Sequence, residues 1–188
     1  MESNAHPTDL EIQEVFHKDR KEGFRLLYRK YSERILSVCR RYSADMEEAM
    51  DFFQEAMIKI NDKCRSVKIK EEGSLYGWMF RVTVNLIMDK FRRDKKRLAA
   101  DIREVGEKDY MDPSYDDFDG ISEEGLYEMI GRLSASKRAV FNMYAIEGYS
   151  YKEIADSLGI SEDGASSMMS KARKELGQMV KDYLKQNQ

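Results

Sequence analysis

Proline, cysteine and histidine are scarce in this chain of 188 residues, which contains two of each. Because prolines are so few, long helices meet few obligatory breaks. The cysteines, Cys39 and Cys64, lack the CxxC spacing of a zinc site, and no histidine lies near enough in the sequence to complete a metal set. We therefore expect two buried thiols in a reducing compartment, rather than a disulfide, a metal site or a cofactor site.

No stretch of the chain reaches the roughly 18 uninterrupted apolar residues of a membrane-spanning helix. The first residues, MESNAHPTDLEIQEV, also lack the basic and apolar regions of a secretion signal. We therefore expect a cytoplasmic protein without membrane insertion. No nucleophile–base pair, phosphate-binding glycine loop or metal-ligand cluster stands out, so we expect neither an enzyme nor a small-molecule ligand.

The net charge of −3 conceals a strong asymmetry along the chain. Residues 101–125 carry ten acidic and two basic side chains, whereas the rest of the chain carries 25 acidic and 30 basic ones. The acidic stretch also contains Pro113 and shows no sustained helical period, which is typical of a connector. The sequence thus predicts an acidic linker between two regions that can each face phosphate.

Helical periodicity elsewhere, with no competing strand pattern, predicts an all-α protein of two small helical domains. We expect these domains at residues 1–100 and 124–188, joined by a flexible acidic linker at residues 101–123. The caps and periods predict helices near residues 9–18, 23–42, 46–63, 75–98, 124–132, 136–146, 151–158 and 162–183.

The stretch SYKEIADSLGISEDGASSMMSKARKEL, which begins at Ser150, has the layout of a helix, a short turn and a second helix. Ser150 and Glu153 can form a capping box, and Gly159 suits a left-handed helix end. Ser161 can then cap the second helix. A DNA-binding helix-turn-helix has this layout, with its second helix in the major groove. An ordinary helical hairpin would show the same caps, so the local pattern leaves both interpretations open.

The helix expected at residues 75–98 has a wide apolar face and a long polar face. At about 100° per residue, the polar face carries Trp78, Arg81, Asn85, Asp89, Arg92 and Lys96. Cations can neutralise phosphates, an indole can stack on an unpaired base, and a carboxamide can bond a base edge. The basic loop before this helix could complete a pocket. The alternative is a solvated face with Trp78 in the core.

Four stretches of the chain occur in the order of a known family: FRLLYRKYSERIL, MEEAMDFFQEAMIKI, YGWMFRVTVNLIMDKFRRDKKR and LSASKRAVFNMYAIEGYSYKEIADSLGIS. Together they resemble a bacterial sigma factor of the small, two-domain extracytoplasmic-function group. The first three are similar to the family's second region, including its polymerase-binding and promoter-melting helices. The fourth is similar to the region that binds the upstream promoter element. Both regions in this order, with a connector of this length, strengthen the resemblance.

The resemblance implies two partners, core RNA polymerase and promoter DNA. It assigns core binding to one arc of the helix at residues 46–63, formed by Asp51, Gln54, Glu55 and Ile58. A mixed acidic and apolar arc suits docking on another protein. Without the resemblance, this arc would be assigned to a solvated face.

The resemblance also implies that Asn85 reads a base flipped out of the minus-ten non-template strand, with the loop at residues 63–70 completing its pocket. Trp78 would stack at the edge of the melted region, and the cations would hold phosphates. The residues expected to contact minus-ten DNA are Lys63, Arg65, Lys68, Trp78, Arg81, Asn85, Arg92, Arg93 and Lys96.

For the minus-thirty-five element, the resemblance points to the helix-turn-helix and its surroundings. The expected contacts are Arg138, Ser150, Lys152, Ser161, Ser166, Ser167, Lys171 and Arg173. The family often has G-T-V-K-S-R where residues 163–168 of this chain read DGASSM, so two usual cations are missing. Upstream readout would then depend on serines, the later cations and DNA shape.

Several alternatives remain open from the sequence. The acidic linker either threads into the polymerase channel later taken by RNA, as the resemblance implies, or is a flexible tether. An anti-sigma factor is a possible further partner. The chain could instead be a helix-turn-helix regulator of duplex DNA, which leaves the Trp78 to Lys96 stripe unexplained. An adaptor that docks on polymerase without binding DNA would explain neither basic surface.

Overall fold

The computed structural model describes residues 7–93 and 121–186, and every regular element within them is helical. This confirms the expected all-α class. None of the described helices is long and apolar enough to cross a membrane. The helices are α1 (Asp9–Lys18), α2 (Arg20–Tyr42), α3 (Met46–Lys63), α4 (Ser74–Arg93), α5 (Glu123–Arg132), α6 (Ala135–Phe141), α7 (Tyr151–Leu158) and α8 (Glu162–Gln186).

The chain divides into two compact units, which we describe separately. The N-terminal unit comprises Met1–Cys39 and Ala49–Leu86, and the C-terminal unit comprises Arg40–Glu48 and Ile87–Gln188. The segment between α2 and α3 is therefore grouped with the C-terminal helices. The domain bounds at residues 1–100, 101–123 and 124–188 stay a prediction, and most of the expected linker lies outside the described residues.

In the N-terminal unit, apolar side chains from all four helices form the core. Fully buried members include Ile12, Phe16, Leu27, Ile35, Ile60, Leu75 and Met79. Both cysteines are buried thiols, as expected. Burial raises the pKa of the Cys64 thiol to about 11, so this sulfur stays protonated and unreactive at neutral pH.

In the C-terminal unit, α5 and α8 share an apolar core, and α6 and α7 also pack against α8. The core residues are Met129, Ile130, Leu133, Ala172, Leu176 and Val180. The helix expected at residues 136–146 is instead α6 followed by a π-helical turn, Asn142–Ile146. The side-chain amide of Asn142 donates to the carbonyl of Arg138 one turn earlier, at 2.9 Å, and to the carbonyl of Arg41, at 2.6 Å. Such tertiary contacts leave no periodic signal in the sequence.

The helix-turn-helix is built by the capping residues predicted for it. Ser150 caps α7 and forms a reciprocal capping box with Glu153. Gly159 ends α7 in the left-handed region, with φ of 71° and ψ of 40°, which glycine adopts without a steric penalty. The Ser161 hydroxyl accepts from the Gly164 amide at 3.0 Å and so caps the start of α8. Gly159 and Ser161 therefore define the short turn that joins α7 to α8.

Candidate nucleic-acid and protein interfaces

Helix α3 presents the predicted core-binding arc to solvent. Its opposite face buries Phe52, Phe53, Ala56, Met57 and Ile60, which fixes the rotation of the helix. As a result Asp51, Gln54 and Glu55 are exposed, and the side chain of Ile58 is 62% exposed. Most of this isoleucine side chain stays in water when the chain folds alone, on the same arc as two carboxylates. The arrangement suits a partner that covers the isoleucine and pairs with the acids.

Helix α4 separates its two faces as the sequence predicts. The buried residues on one face are Met79, Thr83, Val84, Leu86 and Ile87. The Thr83 hydroxyl donates to the carbonyl of Met79 at 2.9 Å. On the other face Arg81 and Asn85 are exposed, whereas Trp78 is half-buried. The half-buried indole is therefore anchored on the core and still offers part of its surface to solvent.

The last turns of α4 continue the polar face with further cations. Arg92 and Arg93 are exposed, and Arg92 is paired with Asp89 one turn earlier. Because both side chains of that pair are largely exposed, the pair adds little stability and can open for a phosphate. Lys96, predicted to extend this face, lies outside the described residues.

The basic loop before α4 begins with a 3-10 turn, Cys64–Ser66. Arg65 and Lys68 are exposed on it, as is Lys63 at the end of α3, whereas Ile69 is buried. The guanidinium of Arg65 donates to the carbonyl of His17 in α1 at 3.0 Å. Sequence reasoning assigned no functional role to α1, yet this helix contacts the loop.

Two serines of the helix-turn-helix are already used within the fold. The hydroxyl groups of Ser150 and Ser161 cap α7 and α8, so their primary role is structural. Lys152 is exposed on α7, and Ser166 and Ser167 are half-buried on α8. These side chains are the accessible hydrogen-bonding groups among the predicted contacts of α7 and the first turns of α8.

The remaining predicted upstream contacts include two cations that are not displayed to solvent. Arg138 is only 2% exposed, and its guanidinium donates to the carbonyls of Tyr42 at 3.0 Å, Gly131 at 2.7 Å and Leu133 at 3.3 Å. The guanidinium donors of Arg138 are thus taken by backbone carbonyls rather than displayed to solvent, and a DNA contact at Arg138 stays a prediction. The amine of Lys171 is also buried, with no hydrogen-bond partner among the described residues.

An aromatic stack beside the helix-turn-helix was not predicted. The rings of Tyr144 and Tyr151 lie 4.5 Å apart at 11° to each other, and Arg173 lies 5.8 Å from the Tyr144 ring centroid. Burial raises the pKa of Tyr151, and the Tyr144 hydroxyl adds to the effect. The two tyrosines are seven residues apart across a helix break, so no helical period pairs them. The stack thus places an aromatic face beside Arg173 of α8.

Among residues 7–93 and 121–186, no group of three or more histidine, cysteine or acidic side chains is arranged to hold a metal ion. The candidate sites are exposed surfaces that carry charged, hydrogen-bonding and aromatic side chains. They lie on α3, on α4 with its preceding loop, and on α7 with α8.

Sequence comparison finds two regions of one family in the chain. Sigma-70 region 2 matches residues 27–97, and sigma-70 region 4 matches residues 123–176. The first match spans α3 and α4, and the second spans the helix-turn-helix. The candidate surfaces on these helices thus fall within the two matched regions.

Individual relatives are similar over most of the chain. The ECF RNA polymerase sigma factor SigE of Mycolicibacterium smegmatis is 30% identical over 161 residues, which cover 84% of this chain and 60% of SigE. The chain therefore spans less than two thirds of that relative. The RNA polymerase sigma-H factor of Pseudomonas aeruginosa is 24% identical over 188 residues, covering 95% of this chain and 96% of the relative.

Among solved structures, the sigma factor RpoE of Bartonella quintana, crystallised with the anti-sigma factor NepR, aligns with a TM-score of 0.49 and 19% identity. The alignment covers 84% of this chain and 96% of that one.

Proposed function

This chain belongs to the sigma-70 family of bacterial RNA polymerase sigma factors, and we propose that it directs core polymerase to specific promoters and melts the DNA there. The observation that carries this function is the presence of regions 2 and 4, in that order, in one chain. The protein acts in the cytoplasm as a dissociable specificity subunit. It is not itself an enzyme, because the polymerase performs the chemistry.

Core polymerase docks on α3. Ile58 supplies an apolar contact at the centre, and Asp51, Gln54 and Glu55 pair with polar and basic groups around it. Desolvating one large aliphatic side chain inside a polar rim is the usual anatomy of a protein interface. The 62% exposure of Ile58 supports this assignment.

The minus-ten element is read by α4 and the loop before it. Asn85 hydrogen-bonds a base flipped from the non-template strand, and the half-buried Trp78 stacks at the edge of the melted region. Flipping costs a few kcal/mol of unstacking, which stacking and the base contact offset. The cations Lys63, Arg65, Lys68, Arg81, Arg92, Arg93 and Lys96 hold the strand through its phosphates.

The minus-thirty-five element is bound by α7 and α8. Lys152 and Arg173 contact phosphates, and Ser166 and Ser167 face the base edges. Because the start of α8 lacks arginine and lysine, sequence discrimination here depends more on DNA shape than on bidentate contacts to guanine.

The acidic linker at residues 101–123 competes with DNA for the cationic surfaces in the absence of core. An anti-sigma factor is a further partner that would hold the protein inactive.

The function is tested by transcription from purified core polymerase, with and without this protein. Specific initiation should require the protein, and a variant with Asp51→Ala, Gln54→Ala and Glu55→Ala should lose core binding with its helical content intact. Lys59→Ala is the matched control, since Lys59 is exposed on α3 outside that arc. Binding to duplex promoter DNA without any stimulation of core would instead indicate a helix-turn-helix regulator. Normal co-purification of the triple variant with core would contradict the assignment of α3.

Recognition of a base is distinguished from contact with phosphates by comparing Asn85→Ala with Arg92→Ala on a library of minus-ten sequences. Asn85→Ala should flatten the preference at one position, whereas Arg92→Ala should weaken all sequences alike and reduce the salt slope by about one unit. Open-complex formation with core, measured at two salt concentrations, gives both quantities. If Asn85→Ala lowers activity evenly across the library, Asn85 has no reading role.

A further inference from the structure

Helix α1 fixes both ends of the loop that precedes α4. We call residues 64–73 the pocket loop, because they include most of the loop at residues 63–70 that is expected to complete the minus-ten pocket, together with the turn that leads into α4. The pocket loop has one short 3-10 turn and is otherwise without regular structure as far as Ser74. Its conformation therefore depends on contacts from other elements, and α1 supplies several of them through polar side chains.

Asp9, the first residue of α1, caps the start of α4 across the fold. Its carboxylate is fully buried, and Oδ2 accepts from the amides of Gly73 at 2.9 Å and Leu75 at 3.0 Å. The first amides of a helix have no partner within the helix, and a negative charge at that end is favoured by the helix dipole. Asp9 thus sets where the pocket loop ends and α4 begins.

The Asp9 carboxylate is itself held by two residues of α2. The Tyr31 hydroxyl donates to Oδ1, and the Lys30 ammonium lies 3.1 Å from the same oxygen. Burial by itself would raise the pKa of Asp9, but the hydrogen bonds from Tyr31, Lys30 and Leu75 lower it below its ordinary value. The carboxylate is therefore charged at neutral pH and shares the Lys30 ammonium with the carbonyl of Pro7 and the carboxylate of Glu72.

Gln13, one turn further along α1, holds the middle of the pocket loop by its backbone. Its side-chain amide donates to the carbonyl of Val67, and its side-chain oxygen accepts from the amide of Ile69 at 3.4 Å. With Val67 and Ile69 fixed in this way and Ile69 buried, Lys68 between them is exposed. The backbone contacts thus determine which loop side chains face solvent.

Simple packing of α1 does not require these polar groups. Ile12 and Phe16 already anchor α1 in the core. A fully buried carboxylate costs several kcal/mol of desolvation, and an apolar residue of similar size commonly serves packing as well or better. The polar contacts of α1 converge on the pocket loop and the first turn of α4, so what they specify is the position of that loop.

We propose that Asp9 and Gln13 are positioning residues for minus-ten recognition, which hold the pocket loop in register with Asn85 so that a flipped base meets a preformed pocket. This rests on the proposed function of α4. Neither residue touches DNA. Both act through the backbone of the pocket loop.

The test uses the full chain with core polymerase and the minus-ten library described above. Gln13→Ala should reduce the preference at the position governed by Asn85 by about 2- to 10-fold, the range that one or two ordinary hydrogen bonds would give. Amide hydrogen exchange in the free protein should speed up at Ile69. Glu14→Ala is the matched control, since Glu14 is the exposed neighbour on α1. Asp9→Asn should speed exchange at Gly73 and Leu75 and lower the same preference.

Three outcomes would overturn the proposal. If Gln13→Ala speeds exchange at Ile69 but keeps the wild-type preference, the position of the pocket loop does not matter for readout. If activity falls equally for every promoter, in step with a lower melting temperature, α1 has only a structural role. If Asn85→Ala also leaves the base preference intact, the proposal of a base pocket at Asn85 is wrong. If Asn85→Ala changes the base preference but Gln13→Ala does not, only the positioning role of Gln13 is wrong.

Discussion

Helix α4 displays Arg81, Arg92 and Arg93 on its exposed surface, whereas α6 holds the guanidinium of Arg138, and α8 the amine of Lys171, away from solvent. In the sequence, all five look like cations available to DNA. Exposed cations can release counterions from phosphates and so give salt-dependent binding. The buried guanidinium of Arg138 instead supports the fold through backbone carbonyls. Under the proposed function, the minus-ten contacts would depend on charge, and the upstream contacts would depend more on hydrogen bonds and DNA shape.

The buried charges of the C-terminal unit are clustered around the segment Arg40–Glu48. Arg138 donates to the carbonyl of Tyr42, and Asn142 donates to that of Arg41. Glu147, whose side chain is 5% exposed, lies 3.7 Å from the guanidinium of Arg41. Arg138 and Asn142 thus satisfy backbone carbonyls of this segment, whereas Glu147 supplies a negative charge beside Arg41. Substitution of these buried groups should therefore change the stability of the fold, whereas substitution of an exposed α4 cation should weaken DNA binding.

The largest expected effect is that of Arg138→Ala. The substitution leaves three buried carbonyls without their donor and Glu48 without a cation 3.6 Å away. We expect a loss of about 2–5 kcal/mol in the free energy of unfolding, since each orphaned buried group costs about 1–3 kcal/mol. Urea denaturation followed by circular dichroism measures it.

Arg92→Ala is the control for Arg138→Ala, because its pairing with Asp89 is exposed. It should change the unfolding free energy by less than about 0.5 kcal/mol. An Arg138→Ala protein of unchanged stability that has lost upstream DNA binding would reverse the comparison and restore Arg138 as a DNA contact.

Next in size is the effect of Glu147→Gln, which depends on pH. Burial raises the pKa of Glu147 from an ordinary value of 4.5 to about 7, although Tyr42 and Arg41 act in the opposite direction. The folded state therefore holds this proton more tightly than the unfolded state, and stability falls as pH rises between these two values. Above pH 7, Glu147→Gln should be more stable than wild type by up to about 3.5 kcal/mol, since the two pKa values differ by about 2.5 and one pKa unit corresponds to about 1.4 kcal/mol.

Melting temperatures of both proteins at a series of pH values provide the measurement. The difference between them should be small below the ordinary pKa of 4.5 and should grow through the range up to about 7. A difference that is the same at every pH would show that Glu147 does not titrate in the folded protein.

Local signals explain which parts of the fold were predictable. The expected bounds of α1, α3 and α7 agree with the structure because caps mark their starts, and the capping box at Ser150 with Gly159 defines α7 at both ends. The helical period of polar and apolar residues in α4 predicts which of its faces is exposed. The burial of Arg138 depends on a carbonyl 96 residues away, and the contacts of Gln13 with the pocket loop span more than 50 residues. No local pattern encodes such pairings.

The smallest expected effect concerns Lys171. Its buried amine has no hydrogen-bond partner among the described residues, so the folded protein loses the hydration of an ammonium group without a compensating bond. Methionine matches the aliphatic stem and removes the polar end. We therefore expect Lys171→Met to leave stability unchanged or to raise it by up to about 1 kcal/mol, as replacing an unpaired buried polar group often does.

DNA binding by Lys171→Met completes the comparison with α4. Affinity for the minus-thirty-five element, measured with core polymerase present, should keep its salt slope, because a buried amine neutralises no phosphate. The same assay on Lys152→Ala, which removes an exposed cation of α7, should lower the slope by about one unit. Should Lys171→Met lower the slope and Lys152→Ala not, the amine must reach DNA in the complex. The C-terminal helices would then bind by charge as α4 does.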